Sequence, residues 1–316
     1  RYIHRRDLNR MVKHMEGNHI KIQSVENGLI LENVHDFNAK HIFECGQCFR
    51  WKRSADGSYT GVAYGKVINV KSDEENNSVR LLNTNIEEFN QIWFEYFDLG
   101  RDYGKIKKKL SEDSVLNTAI KYGEGIRILK QDPWEMLISY IMSANNRIPM
   151  IARSISLLSE MYGQPINYKG ETFYAFPTAE ELSKAQLCDI EKCKAGFRCK
   201  YIFKAIEMVQ DGTIDLDYIK TIDIESARQE LMKIPGVGIK VADCIMLFSM
   251  QKYGSYPVDV WIKRVTEHFY LHEDVPMKAI HAFAKDKFGD MAGFAQEYLF
   301  YYAREMRIGS SKGENK

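Results

Sequence analysis

The sequence predicts an α+β protein, with an N-terminal antiparallel β-sheet domain followed by a larger all-helical domain. Residues 20–83 break into short β-rich pieces separated by turn residues. From residue 85 onward, apolar residues recur at helical spacing. The chain has 316 residues, 45% hydrophobic and 28% charged. That composition is ordinary for a globular chain and leaves room for a sizeable core and two domains.

The expected strands are HIKIQSV, GLILENV, CFRWKR, YTGVAYG, KVINVKS and SVRLLN, divided by turns such as ENG and ADGS. The helical stretches begin with NIEEFNQIWFEYF and DYGKIKKKLSEDSVLNTAIKY, then DPWEMLISYIMSA and IPMIARSISLLSEMY. TAEELSKAQ, CKYIFKAIEMVQDG, DIESARQELMKI and the run from Lys240 to Met306 follow. Two carry start signals: Thr178 with Glu181 makes a capping-box pattern, and Asp132-Pro133 precedes another helix. The expected divisions are a β-rich domain over 19–115, a helical domain over 116–307 and a C-terminal tail over 308–316, with the join somewhere in 84–125. Residues 1–18 are basic and polar without an initiator Met, and are read as an unstructured or vector-derived segment.

No apolar run reaches the ~20 residues that a bilayer-spanning helix needs, and no signal peptide is visible. A net charge of +1 neither requires nor excludes a polyanionic partner, which would need basic residues gathered on one face. The densest basic run, GKIKKKL at 104–110, reads as a solvated helix face. Six cysteines suggest a reducing compartment. Cys45 and Cys48 form one CxxC, but no second close set completes a four-thiolate site, so no metal site is expected.

The chemistry concentrates in IPGVGIKVADCIMLF, residues 234–248. With QELMK before it, this reads as helix, hairpin at PGVG, helix. Gly236 and Gly238 allow positive φ and close backbone approach. The second helix starts just beyond, so its free N–H groups and positive dipole end suit a phosphate, although the glycines equally fit a tight turn between packed helices. Lys240 lies in that helix's first turn, and Cys244, four residues on, shares its face. A lysine beside apolar walls and a positive helix end is favoured as the neutral amine, which can act as a nucleophile. Alternatively its stem packs on the core and its head reaches water. Asp259, in YPVDVWIKRV, is placed to cap the following helix. The same carboxylate near an amine could steady a developing positive charge.

The set PGVGIKVAD…PVDV resembles the helix-hairpin-helix DNA glycosylase superfamily, whose pattern is a PGVGxKxA hairpin followed by a Gly/Pro-rich loop ending in Asp. Within it, the chain from about residue 20 to 306 is similar to the 8-oxoguanine DNA glycosylases. ECGQCFRW resembles the family's GQxFRW motif, in which a glycine carbonyl, here that of Gly46, accepts from N7–H of the oxidised base. Guanine has a bare acceptor at N7, so a fixed carbonyl discriminates between the two bases. ISYIMSANNRIPM resembles the family's SxNNxI segment, which implies that Asn145 enters the space left by an extruded base. GFRCKYI resembles the family's aromatic–Arg pair: Phe197 would wedge into the duplex and Arg198 would contact the unpaired base. AGFAQEYLFYYAR resembles the last pocket helix, where Gln296 reads the Watson–Crick edge and Phe300 stacks on the base, with Cys244 covering its other face.

Two positions depart from the better-known eukaryotic members. Met150 stands where those enzymes have an Arg that helps recognise the opposite cytosine, which implies a relaxed preference there. Trp261 stands where a phosphate-contacting His is common, which implies different phosphate contacts. The resemblance implies a bifunctional glycosylase/AP lyase: Lys240 attacks C1′ of a flipped nucleotide, and the resulting imine permits β-elimination. It also implies no required cofactor, with room for a monovalent cation at the hairpin carbonyls. The expected partner is duplex DNA containing 8-oxoguanine, with no membrane, the protein acting as a monomer inside the cell, in nucleoid or nucleus. Three alternatives compete. A glycosylase for oxidised pyrimidines is disfavoured by the missing C-terminal cysteine cluster and by GQCFRW. A non-catalytic hairpin module would need neither Lys240 nor a base pocket. The third is a protein with no nucleic-acid role.

Overall fold

The computed structural model describes residues 10–14, as backbone, and 19–308. The expected tail from 309 and most of the N-terminal segment lie outside these residues. One sheet of seven antiparallel strands forms the N-terminal part, in the order β1-β2-β3-β7-β6-β5-β4. The strands are β1 (Arg10–His14), β2 (His19–Val25), β3 (Gly28–Glu32), β4 (Trp51–Arg53), β5 (Tyr59–Ala63), β6 (Lys66–Asp73) and β7 (Ser78–Leu82). Register pairs Ile22 with Leu31, Leu31 with Val79, and Val70 with Leu81. This brings the buried alternate residues onto one face. That face packs on Phe89, Trp93 and Tyr96, carried by a helix over 86–96 with a π turn at Phe89–Trp93, and on Phe97 at its C-cap.

Three expectations are corrected here. Residues 10–14 are a strand on the free edge of β2 rather than part of an unstructured leader. The strand expected at CFRWKR shrinks to Trp51–Arg53. Just before it a short helix, Ala39–Glu44, interrupts the sheet, capped by Asn38, whose Oδ1 accepts from the His41 N–H at 3.0 Å.

The remaining chain is helical, apart from a small hairpin of β8 (Pro165–Tyr168) and β9 (Glu171–Tyr174) that periodicity does not announce. Its turn residues Lys169 and Gly170 both have positive φ, 50° and 80°. The aromatic cluster under the sheet runs to Leu99 and the helical core takes up at Tyr103. The helix Tyr103–Leu110 therefore packs with the helical domain, about one helix earlier than the expected 115/116 boundary. Its lysines are partnered: Lys107 with Asp36 at 2.5 Å and Lys109 with Glu112 at 2.8 Å, in keeping with a solvated face.

Buried polar groups latch the two parts together. Arg127 donates to the carbonyls of His35, Asp36 and Asp98. Gln47, fully buried, donates from Nε2 to the carbonyls of Ile42 and Arg127 and accepts from the Leu129 N–H at 2.8 Å. Each buried group thus finds a partner across the join, which fixes the GQ loop against the helical domain. No helix is long and apolar enough to cross a membrane among the described residues.

Candidate active site

The helices Ile224–Leu231 and Ile239–Ser249 are joined by the glycine turn. Gly236 has φ 86°, and a Cβ there would meet the Tyr201 ring at 2.5 Å, so only glycine fits. Gly238 behaves differently from expectation. It is the N-cap of the second helix with φ −93°, and nothing lies within 4 Å of the direction its Cβ would take. No backbone constraint demands glycine there; its lack of a side chain leaves the approach to the helix end open. No side chain caps this end, so its amides face that opening.

One turn in, Lys240 enters an open cleft lined by Gly46, Tyr140, Cys244, Phe248, Pro257, Asp259, Gln296, Glu297 and Phe300. Its Nζ lies 5.5 Å from the centroid of the Tyr140 ring, which itself stacks on Phe248. Asp259 faces Lys240 electrostatically. It is also the N-cap of the helix Val260–Thr266, its Oδ1 accepting from the Ile262 N–H at 2.8 Å. Burial pushes its carboxyl up, while the Ile262 N–H and the Lys240 ammonium oppose the rise. The cap fixes this carboxylate, so capping and electrostatics are served by one geometry. Burial also pushes the Cys244 thiol up to about 12, against the pull of Lys240, so the sulfur stays a neutral, polarisable wall.

The opposite wall comes from the GQ loop and the helix Ala292–Glu305. Gly46 has φ 104°, and a Cβ there would meet Phe300 Cε1 at 3.0 Å. Two anchors hold the loop behind it: Gln131 Nε2 and the Tyr140 hydroxyl both donate to the Gln47 carbonyl, at 2.8 and 3.3 Å. Arg304 reaches from the helix to the Glu44 carbonyl and lies 5.4 Å from the Phe300 ring centroid. Gln296 is 4% exposed, yet its Oε1 has no hydrogen-bond partner, as is also true of Oε2 of the neighbouring Glu297. Unpaired buried acceptors facing a cleft are what a polar ligand would satisfy.

A second group forms an exposed rim. Phe197 is 58% exposed, edge-on to Tyr201, the ring that presses on Gly236. Arg198 is buried. Its Nε and Nη2 donate to the carbonyls of Ala144 and Asn145, both at 2.7 Å, and its Nη1 to that of Ala195 at 3.1 Å. Its five donors are thus mostly committed to bracing the Asn145 loop against the Phe197 turn, with two left over. Asn145 is exposed with φ 49° and lines an open depression with Asn146, Arg147 and Met150. Trp261 sits in the first turn after Asp259, half-buried, under the Arg264 guanidinium at 5.6 Å.

The structure therefore gathers Lys240, Asp259, Gly46, Cys244, Gln296 and Phe300 into one cleft, and Asn145, Phe197 and Arg198 into one rim. Sequence reasoning missed Tyr140, Gln47 and Glu297. Gln47 is a fixed letter of GQxFRW whose own role went unread, and Tyr140 carries no signal beyond its neighbours. Glu297 had one: a carboxyl beside Gln296 on a pocket helix.

Residues 29–137 match the family described as 8-oxoguanine DNA glycosylase, N-terminal domain. A probable N-glycosylase/DNA lyase of Methanothermobacter thermautotrophicus is 33% identical over 213 residues, 61% of this chain and 68% of that protein. The N-glycosylase/DNA lyase of Saccharomyces cerevisiae is 31% identical over 266 residues, 77% of this chain and 71% of that one. Among solved structures, the Clostridium acetobutylicum 8-oxoguanine glycosylase/lyase, in complex with duplex DNA containing cytosine opposite 8-oxoG, superposes with a TM-score of 0.89. It is 49% identical and covers 91% of this chain and 98% of that one.

Proposed function

This chain belongs to the 8-oxoguanine DNA glycosylase/lyase family, and from that membership we propose how its own residues carry the reaction. It is a bifunctional base-excision repair enzyme whose substrate is duplex DNA containing 8-oxoguanine. The observation that supports the assignment of roles is the convergence of Lys240 and Asp259 with four base-contacting candidates in one cleft.

The target atom lies inside a stacked duplex, so the nucleotide is first flipped out, at a cost of a few kcal/mol. Asn145 and Phe197, exposed on the rim, fill the vacated space and offset part of that cost. Hairpin amides beyond Gly238 hold a backbone phosphate, and Trp261 makes a further contact to the DNA backbone. Among the described residues no group of three or more His, Cys, Asp or Glu could hold a metal ion, so a monovalent cation here would rest on main-chain carbonyls. No step uses it.

In the cleft, Phe300 and Cys244 sandwich the base, Gln296 meets its Watson–Crick edge, and the Gly46 carbonyl accepts from N7–H. Lys240, once its ammonium has given up a proton, attacks C1′ through the freed Nζ lone pair. The C1′–N9 bond breaks, its electron pair leaves with the base, and the base takes up a proton. The capped Asp259 carboxylate stabilises the positive charge that develops on the sugar. Loss of the amine proton and opening of the ring give an imine. This acidifies the C2′ proton, whose removal expels the 3′ phosphate. A single chain supplies every group, and the substrate places the protein with the cell's DNA.

Lys240→Gln tests the assignment. The variant should bind lesion-containing duplex within a fewfold of wild type but release no base. Normal turnover would remove Lys240 from the mechanism.

A further inference from the structure

Glu297 is 2% exposed, lines the cleft, and leaves Oε2 without a hydrogen-bond partner. A buried carboxyl in that condition costs stability unless something arrives to satisfy it. It sits where the two base-reading elements meet. Gln296 precedes it, and its carboxyl approaches the thiol of Cys45, the residue before Gly46. That thiol donates to the Ile42 carbonyl at 3.2 Å and accepts from Gln47 Nε2 at 3.3 Å, so it already has partners on its own loop.

The rim of 8-oxoguanine presents N7–H, O6 and N1–H in that order: donor, acceptor, donor. Gly46 and the orphaned Gln296 Oε1 are acceptors, suited to the two donors. The oxygen between them has two lone pairs: the Gln296 amide N–H can meet one, and the other is open to a further donor. We propose that Glu297 is the third reader of the base, its carboxyl group donating a hydrogen bond to O6. This rests on the assignment of the cleft as the base pocket.

The protonation state required is the one the surroundings favour. Burial pushes Glu297 up to about 7, with Cys45 and Arg304 pulling down and Asp259 pushing up. The other titratable groups facing it are Lys240 and Cys244 on the hairpin helix, Tyr140 across the cleft and Cys48 on the GQ loop. Below about pH 7 the acid is a donor; above it, a carboxylate facing O6 repels.

Three proteins and two substrates test this: wild type, Glu297→Gln and Glu297→Ala, on duplexes carrying 8-oxoguanine or a preformed abasic site. The abasic substrate has no base to read. Ala should lower kcat/KM for 8-oxoguanine about tenfold, the worth of one hydrogen bond, and leave strand cleavage at the abasic site within about twofold. Gln, whose amide still donates, should restore excision. The ratio of wild-type to Gln excision should fall about tenfold as pH rises from 6 to 9, a comparison in which every ionisation common to both proteins cancels. Equal loss of both activities in Ala, full excision by Ala, or a ratio flat in pH would overturn the proposal. A wild-type protein that cleaves neither substrate would overturn the site assignment on which it rests.

Discussion

At the scale of single residues, two glycines with different physics bracket the chemistry. Gly46 is held at φ 104° with Phe300 at its back, so an added methyl meets both backbone strain and a ring at 3.0 Å. Gly46→Ala should therefore push Phe300 or the loop carbonyl out of register, lowering 8-oxoguanine excision by tenfold or more. Strand cleavage at a preformed abasic site should suffer much less, since it needs Lys240 and not the carbonyl. Comparable losses on both substrates would show that Gly46 only shapes the fold. Gly238, by contrast, has an ordinary φ and open space in front of it, a distinction invisible in the letters PGVG. The cleft residues themselves were legible because each sits in a motif whose spacing is local: Lys240 and Cys244 four apart, Gln296 and Phe300 four apart. Tyr140 and Gln47 were not, because what gives them a role is a contact with a distant segment: Gln47 bonds to residues 80 and 82 positions away.

Among elements, Arg198 is the tie between the two loops of the rim proposed to meet DNA. It bonds carbonyls at 144, 145 and 195, joining the end of the helix Pro133–Ser143 to the turn before the helix Cys199–Gln210. Removing it orphans the buried Ala195 carbonyl and strips two part-buried ones of their donor, at about 1–3 kcal/mol. Arg198→Ala should lower the urea midpoint accordingly and weaken binding to lesion duplex. Arg198→Lys, with fewer and differently directed donors, should recover only part of each. Unchanged binding in a destabilised Ala variant would confine Arg198 to stability. The elements that sequence patterns failed to announce are short ones. The helix Ala39–Glu44 and the β8–β9 hairpin are too brief for periodicity to declare, and each is set by a cap or turn residue, Asn38 in one and Lys169-Gly170 in the other. Long helices with clear apolar stripes, such as Ile148–Tyr162, were predicted within a residue or two because their burial pattern is written in every turn.

Across the whole molecule, the site costs stability in a pH-dependent way. Glu297 has an ordinary value of 4.5 and is pushed up to about 7 in the fold. Between those two values the folded chain binds the extra proton and the unfolded chain does not. Its contribution is therefore full below about 4.5, falls as pH rises, and is flat above about 7. Urea unfolding of wild type and Glu297→Gln should show the Gln variant gaining on wild type by about 2–3 kcal/mol between pH 4 and 8. A constant difference across that range would mean the carboxyl is not the group that titrates. The two-part architecture was predictable because the period of the pattern changes from two to 3.6 near residue 85. The join was not, since only packing shows that Tyr103 belongs with the helices that follow it. The proposed mechanism turns on one amine, that of Lys240, in the cleft it shares with Asp259. The most direct test is to add borohydride while the enzyme processes an 8-oxoguanine duplex, then to map the protein–DNA adduct by proteolysis and mass spectrometry. The account predicts a reduced adduct on Lys240, absent from Lys240→Gln. Base release with no adduct, or an adduct on another residue, would contradict it.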